Sequence, residues 1–196
     1  MRELWTRQAL KMSVLGFLAL RLAVVTQAES QATKAFHSKV NEYVQLQKKV
    51  SATVPPLTKT ESDPGKIAAH IRSVAQGIQH ARANAKQGDI FVPESVPEFR
   101  QIIRGELEGK QGAASRQTVK TGKPAEEPDS TAKVVLAVNQ PYPDRAPLSS
   151  VPPGLLLKLP QLPKELEYRF LGRNLILLDA TSNLIVDYLL DVVPKA

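Results

Sequence analysis

Apolar residues recur at helical intervals through the first half of this chain and at alternate positions near its end. In Ser30–Ala52, Phe36, Val40, Tyr43, Val44 and Val50 fall on one side, with Lys34, Lys39, Glu42 and Lys48 mostly between them. That spacing predicts an amphipathic helix. Val54-Pro55-Pro56 ends it, because proline lacks an amide hydrogen and restrains the residue before it. A second helix starts at Ser62-Asp63-Pro64, where Asp63 can cap the free amides and proline suits the first helical position. Its apolar face reads Ile67, Ile71, Val74, Ile78, Ala81 and Ala85, with Gly88 as its C-terminal stop. A third helix is expected from Ser95 or Pro97 to Leu107, with Phe99, Ile102, Ile103 and Leu107 facing inward. Each needs a partner surface, since isolated helices of this length are marginal in water. The expectation is therefore a helical hairpin or small bundle. In the Gly88–Pro93 loop, Phe91 is read as a staple folded back onto the third helix, in preference to a partner-docking knuckle.

Glu108–Thr131 breaks the pattern. With Val119 as its one sizeable apolar residue, it cannot bury enough surface to offset the entropy of ordering it, and it reads as a flexible linker. Beyond it the period shortens. Lys133–Val138 reads as a strand, with a short helix capped by Asp129 or Ser130 as the alternative, and Gln140–Pro147 as an extended crossing. Pro152–Leu157 reads as one helical turn before Pro160 and Pro163.

Leu171-Gly172-Arg173-Asn174 suits a two-residue type II′ hairpin turn with glycine first. Pairing Leu171 with Asn174 places Phe170 opposite Leu175 and Tyr168 opposite Leu177. Leu166 joins that face, while Glu167, Arg169, Ile176 and Leu178 take the other. A slip of one residue would invert the separation, so turn and pattern specify the same register. Asp179–Asn183 turns the chain into Leu184–Leu190, whose alternate residues Leu184, Val186, Tyr188 and Leu190 are expected on the same core. A helix capped at Ser182 is the rival reading. The whole is an α+β chain: residues 29–107 helical, 108–131 linker, and 132–196 a small antiparallel β meander.

Residues 159–190, LPQLPKELEYRFLGRNLILLDATSNLIVDYLL, resemble the C-terminal end of a group of uncharacterised exported bacterial proteins. The resemblance implies a hairpin fold element and carries no activity or site residue with it.

The first 28 residues add an address. Arg2, Arg7 and Lys11 precede an apolar run, SVLGFLAL and then LAVV after Arg21, and Thr26-Gln27-Ala28 supplies small residues for cleavage. This order reads as a secretory signal peptide over residues 1–28. The 14 residues from Met12 to Val25 fall short of the ~20 that a spanning helix needs. The expected destination is periplasmic or secreted, with no stable membrane anchor after cleavage. The chain has no cysteine, so disulfides and thiolate chemistry are excluded. Of 26 basic and 19 acidic residues, four basic and one acidic lie in the leader, which leaves the remainder at +4. These charges are scattered. The densest basic point is Lys48-Lys49, which a solvated helix end explains, so nucleic acid is not an expected partner.

Candidate chemistry is sparse. His37, His70 and His80 all lie in the helical part, and His70 and His80 are about 80° out of phase on a helix, unlike a His-x-x-x-His ligand pair. There is no Gly-x-Ser-x-Gly elbow, no phosphate loop and no dinucleotide fingerprint. Asp179 and Asp187 are the remaining pair. Carboxylates about 5–9 Å apart in a cleft could do acid–base work. Here Asp179 is read as a turn residue that accepts turn amides, and Asp187 as facing solvent opposite the core. No catalytic, cofactor or metal residue is assigned. The expected function is a non-catalytic binding or accessory protein of the cell envelope with a protein partner. The alternative is a metal-binding protein or hydrolase assembled from His70, His80 and separated carboxylates.

Overall fold

Where a cap and an apolar face agree in the sequence, a helix begins at the expected residue. In the computed structural model, which describes residues 29–58, 60–108, 112–120, 136–142 and 149–194, α1 spans Gln31–Ser51. Its N-cap is Ser30, whose hydroxyl accepts the Thr33 amide at 2.9 Å. α2 (Pro64–Ala81) is capped by Asp63, which accepts the amides of Gly65 and Lys66. It ends at Ala81, seven residues before Gly88, and irregular turns fill the interval. Gly88 has φ +90°, so its glycine serves the connection to the next helix and does not stop α2. α3 covers Val96–Leu107 and buries Phe99, Ile103 and Leu107.

Part of the expected linker is ordered: α4 (Gly112–Lys120) lies against α3 with Val119 buried. A single apolar side chain serves here because α3 supplies the surface that an isolated nine-residue helix lacks. Residues 121–131 and the leader, residues 1–28, lie outside the described residues, as do 133–135 of the expected strand; Leu136–Val138 form none.

The C-terminal part follows the predicted pairing. After α5 (Pro153–Leu156), strands β1 (Leu166–Leu171), β2 (Asn174–Asp179) and β3 (Leu184–Leu189) form an antiparallel sheet in the order β1-β2-β3. Leu171 pairs with Asn174, Phe170 with Leu175 and Tyr168 with Leu177. Gly172 takes φ +58° and Arg173 does not share it, the type II′ pattern. The inward face, Leu166, Tyr168, Phe170, Leu175 and Leu177, packs on the helices in one core with Phe36, Val40, Ile78, Phe91, Phe99 and Ile103. The helical region and the β meander therefore share a single interior. On the opposite face, Ile176, Leu178 and Ile185 are buried by Tyr142 in a second, smaller cluster.

One feature of β3 overturns its expected faces. Leu177 pairs with Asp187 and Leu178 with Ile185, so Val186 is an extra residue, a β-bulge. A bulge sets two consecutive residues against one and reverses the alternation beyond it. Leu184 and Val186 face the helical core as expected. Past the bulge, Leu189 takes that face, Tyr188 joins the second cluster, and Leu190 is 44% exposed. The outer edge of β3 is covered by residues 139–142: Asn139 donates its amide to Ile185 O, Ile185 to Gln140 O, and Tyr142 to Asn183 O; residues 143–147 of the expected crossing lie outside the described residues.

Candidate functional site

The polar groups with chemical potential lie where α1, α2 and the α2–α3 connection meet the sheet. Asp179, at the end of β2, is fully buried. One of its oxygens accepts the turn amides of Thr181 and Ser182 at 2.7 and 3.0 Å, as its position predicted. The other accepts the Tyr43 hydroxyl at 2.6 Å. Burial, followed by the Asp179 charge, drives the Tyr43 phenol far above its ordinary value. The Arg82 guanidinium lies 5.0 Å from the centre of the same ring.

Arg82 follows the last residue of α2. It donates to Asn139 Oδ1 at 3.0 Å and reaches the carbonyl of the bulged Val186 at 3.4 Å. Asn139 returns a bond from Nδ2 to the Arg82 carbonyl at 2.7 Å, and its own carbonyl accepts Gln79 Nε2 at 2.8 Å. This asparagine, at φ +62°, ties the end of α2 to the edge of β3. Burial lowers the guanidinium's pKa, and the nearby Tyr43, Asp89 and Asp187 act in the opposite direction.

Asp187 was expected at the solvent; the bulge turns it inward, and it is completely buried. One oxygen accepts the amides of Ile90 and Phe91, each at 2.8 Å, and that of Gly88 at 3.2 Å. The other accepts Gly88 at 3.0 Å and Tyr188 at 2.8 Å. Burial pushes its carboxyl above the ordinary carboxylate range, and the amides of Gly88, Phe91, Ile90 and Tyr188 draw it partly back. Phe91 is buried, stacked on Phe36 with centroids 5.4 Å apart and edge-on to Phe99 at 5.0 Å. The loop phenylalanine is thus a staple, and it holds the amide cradle in place.

The arrangement is a row of groups satisfied by one another. Asp179 is saturated by Tyr43 and the turn, and Asp187 by the cradle. Surface grooves are lined elsewhere. Two, of about 710 and 750 Å³, run along the outer side of α3 past Arg100, Arg104, Glu98 and Lys158. A third, about 470 Å³, follows the β1 edge between Val151, Leu156, Pro160 and Leu162. The histidines are apart from both carboxylates. His37 contacts Glu29 and the Gln161 carbonyl, His70 Nδ1 lies 3.1 Å from the Pro55 carbonyl, and His80 is exposed. Among the described residues, no group of three or more His, Asp or Glu is placed to hold a metal ion.

Sequence reasoning missed Arg82 and Asn139, which carry no motif. For Asp187 a signal existed: it is the one charge in the otherwise apolar run Leu184–Leu190, and such a residue in a buried strand needs partners.

The tyrosines make this interior readable by titration. Tyr43 and Tyr168 both stand well above the ordinary phenol value, in each case chiefly through burial. A raised folded-state pKa gives stability that is complete below the unfolded value of about 10 and is lost as pH rises through the folded value. Phenolate absorbance at 295 nm from these two should therefore appear only with loss of helical circular dichroism, above about pH 10. Smooth ionisation of both in a folded chain would contradict their placement.

No protein-family profile, curated protein or solved structure matches this chain.

Proposed function

We propose that this chain is an exported, non-catalytic binding or accessory protein of the bacterial cell envelope. The observation that supports this reading is the direction in which its polar groups are spent. Both buried carboxylates, Tyr43 and Arg82 are consumed in holding helices to sheet, and the histidines stand away from them. What the molecule offers outward is shape and apolar contact. Leu157 is 81% exposed and Leu156 48%, at a proline-bounded turn beside the β1 groove. Adjacent exposed leucines are the kind of surface that a protein partner covers. The leader pattern of residues 1–28 supports export.

The test is expression of the full chain in a Gram-negative host, with a photocrosslinking residue at position 157. A periplasmic chain beginning at Glu29, with an adduct that disappears when the crosslinker is moved to Arg72 on exposed α2, is the expected result. An uncleaved cytosolic chain would overturn export. A cleaved chain with no adduct specific to position 157 would overturn the contact surface.

A further inference from the structure

We propose that the Gly88–Phe91 loop is a carboxylate receptor shaped by its own residues, and that Asp187 is a ligand delivered to it in cis. Three observations separate the receptor from its ligand. The loop is held by bonds in which Asp187 takes no part. Lys86 donates its amide to Asp89 Oδ2 at 3.0 Å and Asp89 donates to Lys86 O at 3.2 Å. Val92 donates to Ile90 O at 2.8 Å, and Ser95 closes the next turn on Val92 O through both its amide and its hydroxyl.

Second, Phe91 is anchored between Phe36 and Phe99, which fixes the loop against α1 and α3 independently of β3. Third, Gly88 takes φ +90°, and its amide converges with those of Ile90 and Phe91 on Asp187 Oδ2, at 3.2, 2.8 and 2.8 Å, while also reaching Oδ1 at 3.0 Å. Successive amides turned into one concavity form a nest for an anion. The donors grip both oxygens, so the matching ligand is a planar two-oxygen anion. Arg82, within electrostatic reach of Asp187, adds a favourable field.

If the receptor is preformed, removing the carboxylate should leave a site that an exogenous carboxylate can fill. The experiment is thermal melting of the full-length Asp187→Ala variant with sodium formate, against sodium chloride at equal ionic strength. Formate has the two oxygens and the volume that this substitution vacates. The melting temperature should fall by about 10 °C in the variant. It should then recover saturably with formate, as for any ligand that binds only the folded state. Acetate should act more weakly, because its methyl group meets the one left by the substitution. Wild type, whose site is full, should show no formate-specific rise.

Adding Gly88→Ala, which opposes the positive φ, should abolish the rescue in the double variant. Should Asp187→Ala be unfolded, the same titration is read as formate-dependent return of helical circular dichroism. Formate acting no better than chloride, in either readout, would show that the loop takes its shape from Asp187 and would overturn the proposal.

Discussion

Asp187→Asn should destabilise the protein by about 2–4 kcal/mol, although it preserves the shape of the side chain. The reason lies in the donors around it. One oxygen faces Ile90 and Phe91, the other Gly88 and Tyr188. Whichever way the amide is turned, its NH₂ meets at least two backbone N–H groups and can accept from neither. Hydrogen bonds to a charged acceptor contribute about 1.5–3 kcal/mol each. Relief from burying a charge offsets part of that loss. Urea denaturation is the measurement, with a lower midpoint at an unchanged slope. Asp89→Asn, next to the cradle's first amide, is the comparator: its carboxylate accepts an exposed bond from Lys86, and its cost should stay below about 1 kcal/mol. Equal effects at the two positions would show that the cradle does not grip Asp187.

Phe91→Ala is expected to cost about 3–5 kcal/mol, the range for deleting a buried aromatic ring. Phe91 is 1% exposed and touches Phe36 and Phe99, which themselves meet at 4.9 Å; Phe99 continues the row to Tyr168 of β1 at 6.1 Å. Each such ring pair adds about 0.5–1.5 kcal/mol beyond area burial. The row begins on α1 and ends in the sheet, so its loss should weaken both regions together. Helical circular dichroism and amide protection in β2 should fall in one transition, shifted by the same amount. Two separated transitions would restore the picture of a helical region and an independent β meander.

How far these contacts could be read beforehand depends on how local their causes are. Asp63 and Pro64 mark the start of α2 because a cap acts within three residues of itself. The β1–β2 register was legible because Gly172 and the alternation of Tyr168, Phe170, Leu175 and Leu177 enforce the same pairing. Asp179 was placed correctly against its own turn for the same reason. The bulge at Val186 was not legible, since nothing within β3 demands it. Its support comes from Arg82, and its consequence is met by Gly88, Ile90 and Phe91. A one-residue insertion reversed the faces of Asp187, Tyr188 and Leu190, and with them the carboxylate assignment. Gly88 was misassigned because a positive-φ glycine serves a helix end and an anion nest equally well. α4 was missed because Val119 becomes an anchor only once α3 is beside it.

The bulged strand also orders events during synthesis. β3 follows α1, α2 and α3 in the chain, yet it carries the carboxylate that the α2–α3 connection holds and the edge on which Asn139 and Tyr142 settle. The helices leave the ribosome first and are completed last. Until residues 184–189 emerge, the amides of Gly88, Ile90 and Phe91 have no carboxylate. Residues 31–107 therefore leave the ribosome with part of their shared interior still to be supplied, and the last piece they receive is a charged side chain as well as an apolar face.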